Sequence, residues 1–331
     1  MSTLLSVIVP VYNTPSYYLR KLIYSLIKDK PSNTEIIFID DGSKAYTAKL
    51  LDEFADKYTY IHSIHQDNAG QNAARKTGVN LARGQFIMFC DSDDEFRWTR
   101  MLPIINSLRH NEADAFIFNS SIINEQGVEK PGYGNTWFTL ENCRHDIKRY
   151  ALSQCAEVWR NVFRKELLTD DIFCTESKIG EDIAVVFLAL TKAKTVKTFD
   201  CAPYLYRVTE EGIEHKAPGS TRLHIKDVFD FILSHIDDDS KSQYSHELEW
   251  EAILHVMCVE INEMLKTNTN QRYIKELCSW METTFPNWRK NPYLKIVWNT
   301  IGLRSKLILR HHFATLQFLR SCKSILNIYF N

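Results

Sequence analysis

An apolar run near the amino terminus, residues 4–11 (Leu-Leu-Ser-Val-Ile-Val-Pro-Val), does most to restrict the fold. A strand with one wet face alternates apolar and polar residues. One that is apolar almost throughout is covered on both faces, as in a parallel sheet flanked by helices. Pro10 has no N–H for the ladder, so the strand is expected to stop near it. The unit then repeats. Residues 18–28 carry Leu19, Leu22, Ile23, Leu26 and Ile27 at helical spacing. Residues 35–39 form a second apolar strand, closed by the turn formers Asp40-Asp41-Gly42-Ser43. Residues 48–58 read as a helix, 60–65 as a third strand, and 71–82 as a helix stopped by Gly84. Gln85-Phe86-Ile87 opens a fourth apolar run. Such alternation with short loops predicts an α/β fold with a doubly wound, mostly parallel sheet. Ligands bind such sheets at the carboxyl ends of the strands. Three strands end there in polar loops: Tyr12-Asn13, Asp40-Asp41 and Asp91-Ser92-Asp93.

The fourth run, through Met88-Phe89-Cys90, ends in Asp91-Ser92-Asp93-Asp94-Glu95. On an extended backbone Asp91 and Asp93 face one way and Ser92 the other. Clustered carboxylates repel unless a cation or donor sits between them. Oxygen-only ligands suit Mg²⁺ or Mn²⁺, ions that bridge to phosphates. A solvated acidic turn would give the same lone Asp-x-Asp. Other α/β signatures are missing: the first strand leads to Tyr-Asn-Thr-Pro rather than G-x-G-x-x-G, and no G-x-x-x-x-G-K-[ST] occurs. A bound nucleotide would therefore need its phosphates neutralised otherwise, and a metal on Asp93 is the available means.

The 331 residues leave room for one large or two moderate domains. A net charge of −1 excludes a global field that would steer nucleic acid. The eight cysteines form no C-x-x-C pair and no zinc spacing, so they read as reduced packing thiols of a cytoplasmic protein. No charged leader and no ~20-residue apolar span is expected.

Taken together, Ser6-Val7-Ile8-Val9-Pro10-Val11-Tyr12-Asn13, residues 36–43 (Ile-Ile-Phe-Ile-Asp-Asp-Gly-Ser), Asn68-Ala69-Gly70 with Ala74-Arg75 and Gly78, and Asp91-Ser92-Asp93-Asp94 resemble family 2 glycosyltransferases of the GT-A fold. A weaker resemblance continues through Trp159-Arg160-Asn161, Phe163-Arg164, Glu181-Asp182 and Pro203-Tyr204-Leu205-Tyr206-Arg207. The resemblance implies a metal-dependent inverting hexosyl- or N-acetylhexosaminyltransferase. It would move a sugar from a nucleotide donor, usually a UDP-sugar, to a hydroxyl of a glycan or polyprenyl-linked glycan in surface-polysaccharide synthesis. It also implies residue roles. Pro10, Tyr12 and Asn13 would line the base pocket, with Asp40 or Asp41 accepting the base N–H and Arg75 beside the nucleotide. Asp91 would hold the ribose, with Ser92 next to it, and Asp93 the Mn²⁺ or Mg²⁺ ion. His215 would stand where relatives close a loop, sometimes with a metal-binding histidine; a plain surface histidine is the competing reading. Asp182 would be the catalytic base, with Glu181 and Trp159 toward the acceptor. Acids at a helix start and a buried tryptophan are also ordinary. A sugar nucleotidyltransferase and a non-catalytic sugar-nucleotide binder are the alternatives. The first usually needs a Gly- and Arg-containing loop after strand one, absent here, and the second has no use for Asp182.

By this reading residues 1–216 form the catalytic domain, with 1–96 for the donor and 97–216 for the acceptor. Residues 217–331 form an all-helical appendage, in which 237–240 read as an exposed linker. Residues 283–331 hold eight Lys or Arg and no acid, leaving −9 for the rest. Projected as one helix, Leu307, Ile308, Phe318, Leu319, Cys322, Ile325, Leu326 and Tyr329 share a face opposite Lys306, Arg310, Gln317, Arg320 and Ser324. Such a helix can lie on an anionic membrane surface, placing the protein peripherally on the inner face of the cell membrane, or dock on the catalytic domain.

Overall fold

The computed structural model describes residues 2–132, 141, 143–154, 157–173, 177, 179–208, 218–266 and 271–316. In chain order it builds β1 (Leu5–Val11), α1 (Ser16–Ile27), β2 (Thr34–Asp41), α2 (Ala45–Lys57), β3 (Ile61–Gln66), α3 (Gln71–Leu81), β4 (Phe86–Phe89), β5 (Glu95–Phe96) and α4 (Trp98–Arg109). There follow β6 (Ala115–Ile123), β7 (Glu129–Pro131), α5 (Ile147–Leu152), β8 (Asn161–Arg164), α6 (Glu181–Lys192) and β9 (Val196–Arg207). The sheet order is β3-β2-β1-β4-β8-β6-β9-β5, with β7 on β6. β1 to β4 pair in parallel, β8 runs antiparallel between β4 and β6, and β9 is parallel to β6. The sheet is thus mixed beyond β4.

All seven residues of β1 and all eight of β2 are buried, as the apolar runs require. From β1 the chain winds outward to β2 and β3, then returns to β4 on the other side. The winding reverses between β1 and β4, where a crevice opens outside the strand ends. Val11 pairs with Asp40, and the Cys90 N–H donates to Ile8 O at 3.0 Å, so Tyr12, Asp41 and Asp91 emerge at one edge. α3 lies close on β1 because Gly78 has no Cβ; one there would stand 2.4 Å from Ile8 Cγ2.

Two compact units are present, one comprising 1–135, 155–175 and 181–210, the other 136–154, 176–180 and 211–331. The second is helical and holds a buried ion pair, Arg222–Glu260 at 2.7 Å, and a half-buried one, Arg149–Glu247 at 2.8 Å. Asp237 is a helix cap, not a linker: its carboxylate accepts the Ser240 N–H at 2.8 Å and starts the helix Asp238–Gln243. The single basic helix is also corrected. Leu303–Leu309 is helical, but the chain turns at His311 (φ +57°), and residues 317–331 lie outside the described residues. Trp288, Tyr293, Leu294, Val297 and Ile308 are core of the helical unit.

Candidate active site

The loops after β1 and β2 are tied together by their own polar groups. Asn13 sits at φ +53°. Its N–H donates to Ser43 Oγ and its Oδ1 accepts the Lys44 N–H, both at 2.9 Å. Asp40 caps the turn by accepting the Ser43 N–H at 2.9 Å, and it bonds His65 Nδ1 at 2.7 Å. That bond, helped by Asp52, raises the His65 pKa above its ordinary value. Asp41 accepts from Gln66 Nε2 at 2.7 Å and from the N–H groups of Ala69 and Gly70 at 2.9 Å, fixing the start of α3. Both acids are buried, as is Pro10, while Tyr12 keeps its ring 57% exposed at the rim.

The acidic stretch after β4 is a turn about Ser92 and Asp93, closed by the Asp94 N–H on Asp91 O at 3.4 Å, not an extended strand. The Ser92 hydroxyl bonds that of Thr14 at 2.5 Å. Asp91 accepts from Gln71 Nε2 at 3.0 Å and lies 3.7 Å from Arg75. Burial pushes the Asp91 carboxyl up to about 7 against the pull of Arg75, with Asp182, Asp93 and Glu181 adding to the rise. Burial also raises Asp93 and Asp94 above the usual carboxylate range.

Arg75 is the hub of the site. It projects from α3, is 1% exposed, and meets Asp91 from β4 and both Glu181 (3.7 Å) and Asp182 from α6. Its Nη1 also donates to Asn72 Oδ1 at 3.0 Å. Asp182 is held at both oxygens: Oδ1 by Arg75 and Oδ2 by the Val158 N–H at 3.2 Å. α6 is buried from Ile183 to Thr191, so its apolar body roots the two acids at its first turn, where the helix dipole favours negative charge. Gly180, at φ +68°, turns the chain into that helix. One guanidinium thus joins an acid of the β4 edge to the acids of α6.

Trp159 falls in a single 3-10 turn, Val158–Arg160. It is 3% exposed and stacks on Tyr204 and Tyr206 with centroids 4.4 and 5.5 Å apart, so its indole is packed inside the protein. His215 lies outside the described residues. Sequence reasoning gave no role to Gln71, Thr14, Tyr204 or Arg207. The last had a signal, since an arginine closing an apolar strand, if buried, needs acids around it.

Asp91 and Asp93 offer the hard oxygen donors that Mg²⁺ or Mn²⁺ takes. Among the described residues no three His, Cys, Asp or Glu gather as a ready cage. That donor set fits an ion of the Mg²⁺ kind, which binds through one or two carboxylates plus substrate phosphates.

A curled, mostly parallel sheet with a helical carboxyl-terminal part, its strand-end acids gathered around a buried arginine, is the GT-A fold. Residues 6–169 match the family described as Glycosyl transferase family 2, and the chain belongs to that family. It is 28% identical over 213 residues to the uncharacterized glycosyltransferase EpsJ of Bacillus subtilis (strain 168), covering 62% of each chain. It is 27% identical over 223 residues to the glycosyltransferase GlyG of Streptococcus pneumoniae serotype 4, covering 62% of this chain and 71% of that one. In structure it is similar to S. aureus TarS 1–349, with TM-score 0.62, 20% identity, and 89% of this chain and 81% of that one covered. TarS 1–349 has also been crystallised in complex with UDP-GlcNAc; that structure is matched at TM-score 0.59 and 21% identity, over 95% of this chain and 88% of that one. The chain spans less than two thirds of the length of EpsJ.

Proposed function

We propose that this chain is an inverting glycosyltransferase that transfers a hexosyl or N-acetylhexosaminyl group from a UDP-sugar to a hydroxyl of a glycan or lipid-linked glycan. The observation that carries this is the meeting of Asp91 and Asp182 on Arg75, which sets a donor-side acid and a candidate base at one site. The UDP-GlcNAc complex of TarS supports the donor class.

Tyr12 and Asn13 form the rim on which the base rests, and Asp40 or Asp41 reads its N–H. Arg75 steadies Asp91, which accepts from the ribose hydroxyls with Ser92 alongside. A divalent ion held by Asp93 would supply Lewis-acid stabilisation of charge on the departing nucleoside diphosphate. Asp182 takes the proton of the acceptor hydroxyl as that oxygen attacks the anomeric carbon from the face opposite the leaving group. Its second lone pairs remain free for this, since Arg75 and the Val158 N–H fix the carboxylate without exhausting it. Glu181 orients the acceptor. Calorimetry with UDP should show affinity rising at least about tenfold, ~1.4 kcal/mol, when Mn²⁺ is added. Equal affinity in chelator would count against the donor reading.

No helix among the described residues is long and apolar enough to cross a membrane. For residues 283–331 we favour contact with an anionic membrane surface. Lys306 and Arg310 lie 5.9 and 5.1 Å over the Trp298 ring, beside a Leu303 that is 66% exposed. Replacing Arg304, Lys306 and Arg310 together by Glu leaves the buried core untouched and should abolish co-sedimentation with phosphatidylglycerol vesicles. Unchanged sedimentation would refute the contact.

A further inference from the structure

Four of the five residues 91–95 are acids, and their mutual repulsion would splay the turn if nothing held it. The end of β9 holds it. The Tyr204 hydroxyl donates to Asp94 Oδ2 at 2.6 Å and accepts the Asp91 N–H at 2.9 Å. The Arg207 N–H donates to Asp94 Oδ1 at 2.6 Å. Arg207 Nε donates to the Asp93 carbonyl at 2.8 Å, and its Nη2 pairs with Glu95. Both side chains are fixed in turn. The Tyr204 ring is fully buried and stacked on Trp159, and the buried Arg207 guanidinium lies 4.9 Å over the Tyr18 ring. None of these contacts touches the carboxylate of Asp91 or Asp93. The cluster is thereby divided. Asp94 and Glu95 are turned inward onto β9, while the main chain of Asp91 and Asp93 is gripped so that their carboxylates stay available.

We infer that Tyr204 and Arg207 are positioning residues for the divalent-ion and diphosphate site, acting through the backbone of the Asp91–Asp93 turn. The inference rests on the donor reading above. A metal site depends on the groups that orient its ligands nearly as much as on the ligands themselves, and loosening such groups weakens binding by about 10- to 100-fold. Tyr204→Phe keeps the stacked ring and removes only the bridging hydroxyl. Arg207→Lys keeps the charge and loses the fork that reaches the Asp93 carbonyl and Glu95 together.

The experiment is a Mn²⁺ titration of UDP binding by calorimetry on the full chain, at a temperature where circular dichroism shows each variant folded. Leu51→Ala, a cavity variant at a buried position of α2, serves as the control for lost stability alone. Tyr204→Phe and Arg207→Lys should each require about tenfold or more Mn²⁺ for half-maximal UDP binding, with metal-free UDP affinity within twofold of the parent and Leu51→Ala unshifted. Variants that match the parent in Mn²⁺ requirement overturn the inference, as does an equal shift in Leu51→Ala. A parent whose UDP binding ignores Mn²⁺ overturns the donor reading itself, and this inference with it.

Discussion

Asp182→Asn should lower kcat for sugar transfer by about 10³, within the range a positioned general base contributes, while UDP affinity stays within a few-fold of the parent. The carboxylate meets Arg75 and the Val158 N–H. No described hydrogen bond of its side chain goes to the acids after β4, on which only its charge acts, through Asp91. Asparagine has nearly the same shape but cannot take a proton from an attacking hydroxyl. It also meets a conflict, because both of its neighbours are donors. Its amide NH₂ must face one of them, so about 1–3 kcal/mol of stability should be lost as well. Single-turnover transfer measured beside UDP calorimetry, below the lowered melting temperature, separates the two losses. Intact turnover would remove Asp182 from the role of base. Lost UDP affinity would move it to the donor side.

Which parts of this site can be read along the chain depends on how far apart the contributing segments lie. β1, β2 and β4 are visible as apolar runs because the parallel sheet covers both their faces. β3 at the sheet edge (Ile-His-Ser-Ile-His-Gln) is half exposed and carries no such run. Few positions inside β1 or β2 are polar, and two of them, Ser6 and Glu35, bond each other at 2.6 Å inside the sheet. The acids at the strand ends are equally visible, since a strand that stops in carboxylates needs a reason. Their division of labour is not. Asp40 and Asp41 look alike in sequence, yet one caps its own turn and the other anchors the start of α3. Trp159 reads as an acceptor-side residue, yet it lies in a 3-10 turn and stacks on Tyr204 and Tyr206, far away along the chain. The basic carboxyl-terminal stretch projects well as one helix only while the turn at His311 is ignored, and no periodicity reports a positive φ.

Arg75 marks the limit most clearly, and its removal should be the most damaging single change. In sequence it is a helix position beside a nucleotide motif. In the fold it is 1% exposed and answers acids from β4 and from α6, the latter 107 residues away. Arg75→Met would leave Asp91, Glu181 and Asp182 without their shared cation, each with less than a third of its side chain exposed. Breaking a buried pair by deleting one partner costs about 3–5 kcal/mol; water reaching these acids places the expected loss at about 3 kcal/mol at neutral pH. The loss should depend on pH, and its sign follows from Asp91. A carboxyl whose folded pKa is raised, here to about 7 even with Arg75 present, binds more protons folded than unfolded between its two pKa values. Stability therefore falls as pH rises through that window. Without the guanidinium Asp91 loses the charge that opposes its rise and should titrate higher still, so in metal-free buffer the deficit in melting temperature should be larger at pH 8 than at pH 5. Arg75→Lys should recover much of that deficit, because a point charge still screens the acids. It should not recover transfer, because one ammonium cannot span Asp91 and Asp182 with the fixed fork that orients both. A melting deficit of Arg75→Met that is flat with pH, or an Arg75→Lys protein with full transfer activity, would show that the three acids do not depend on this side chain for their charge or their aim.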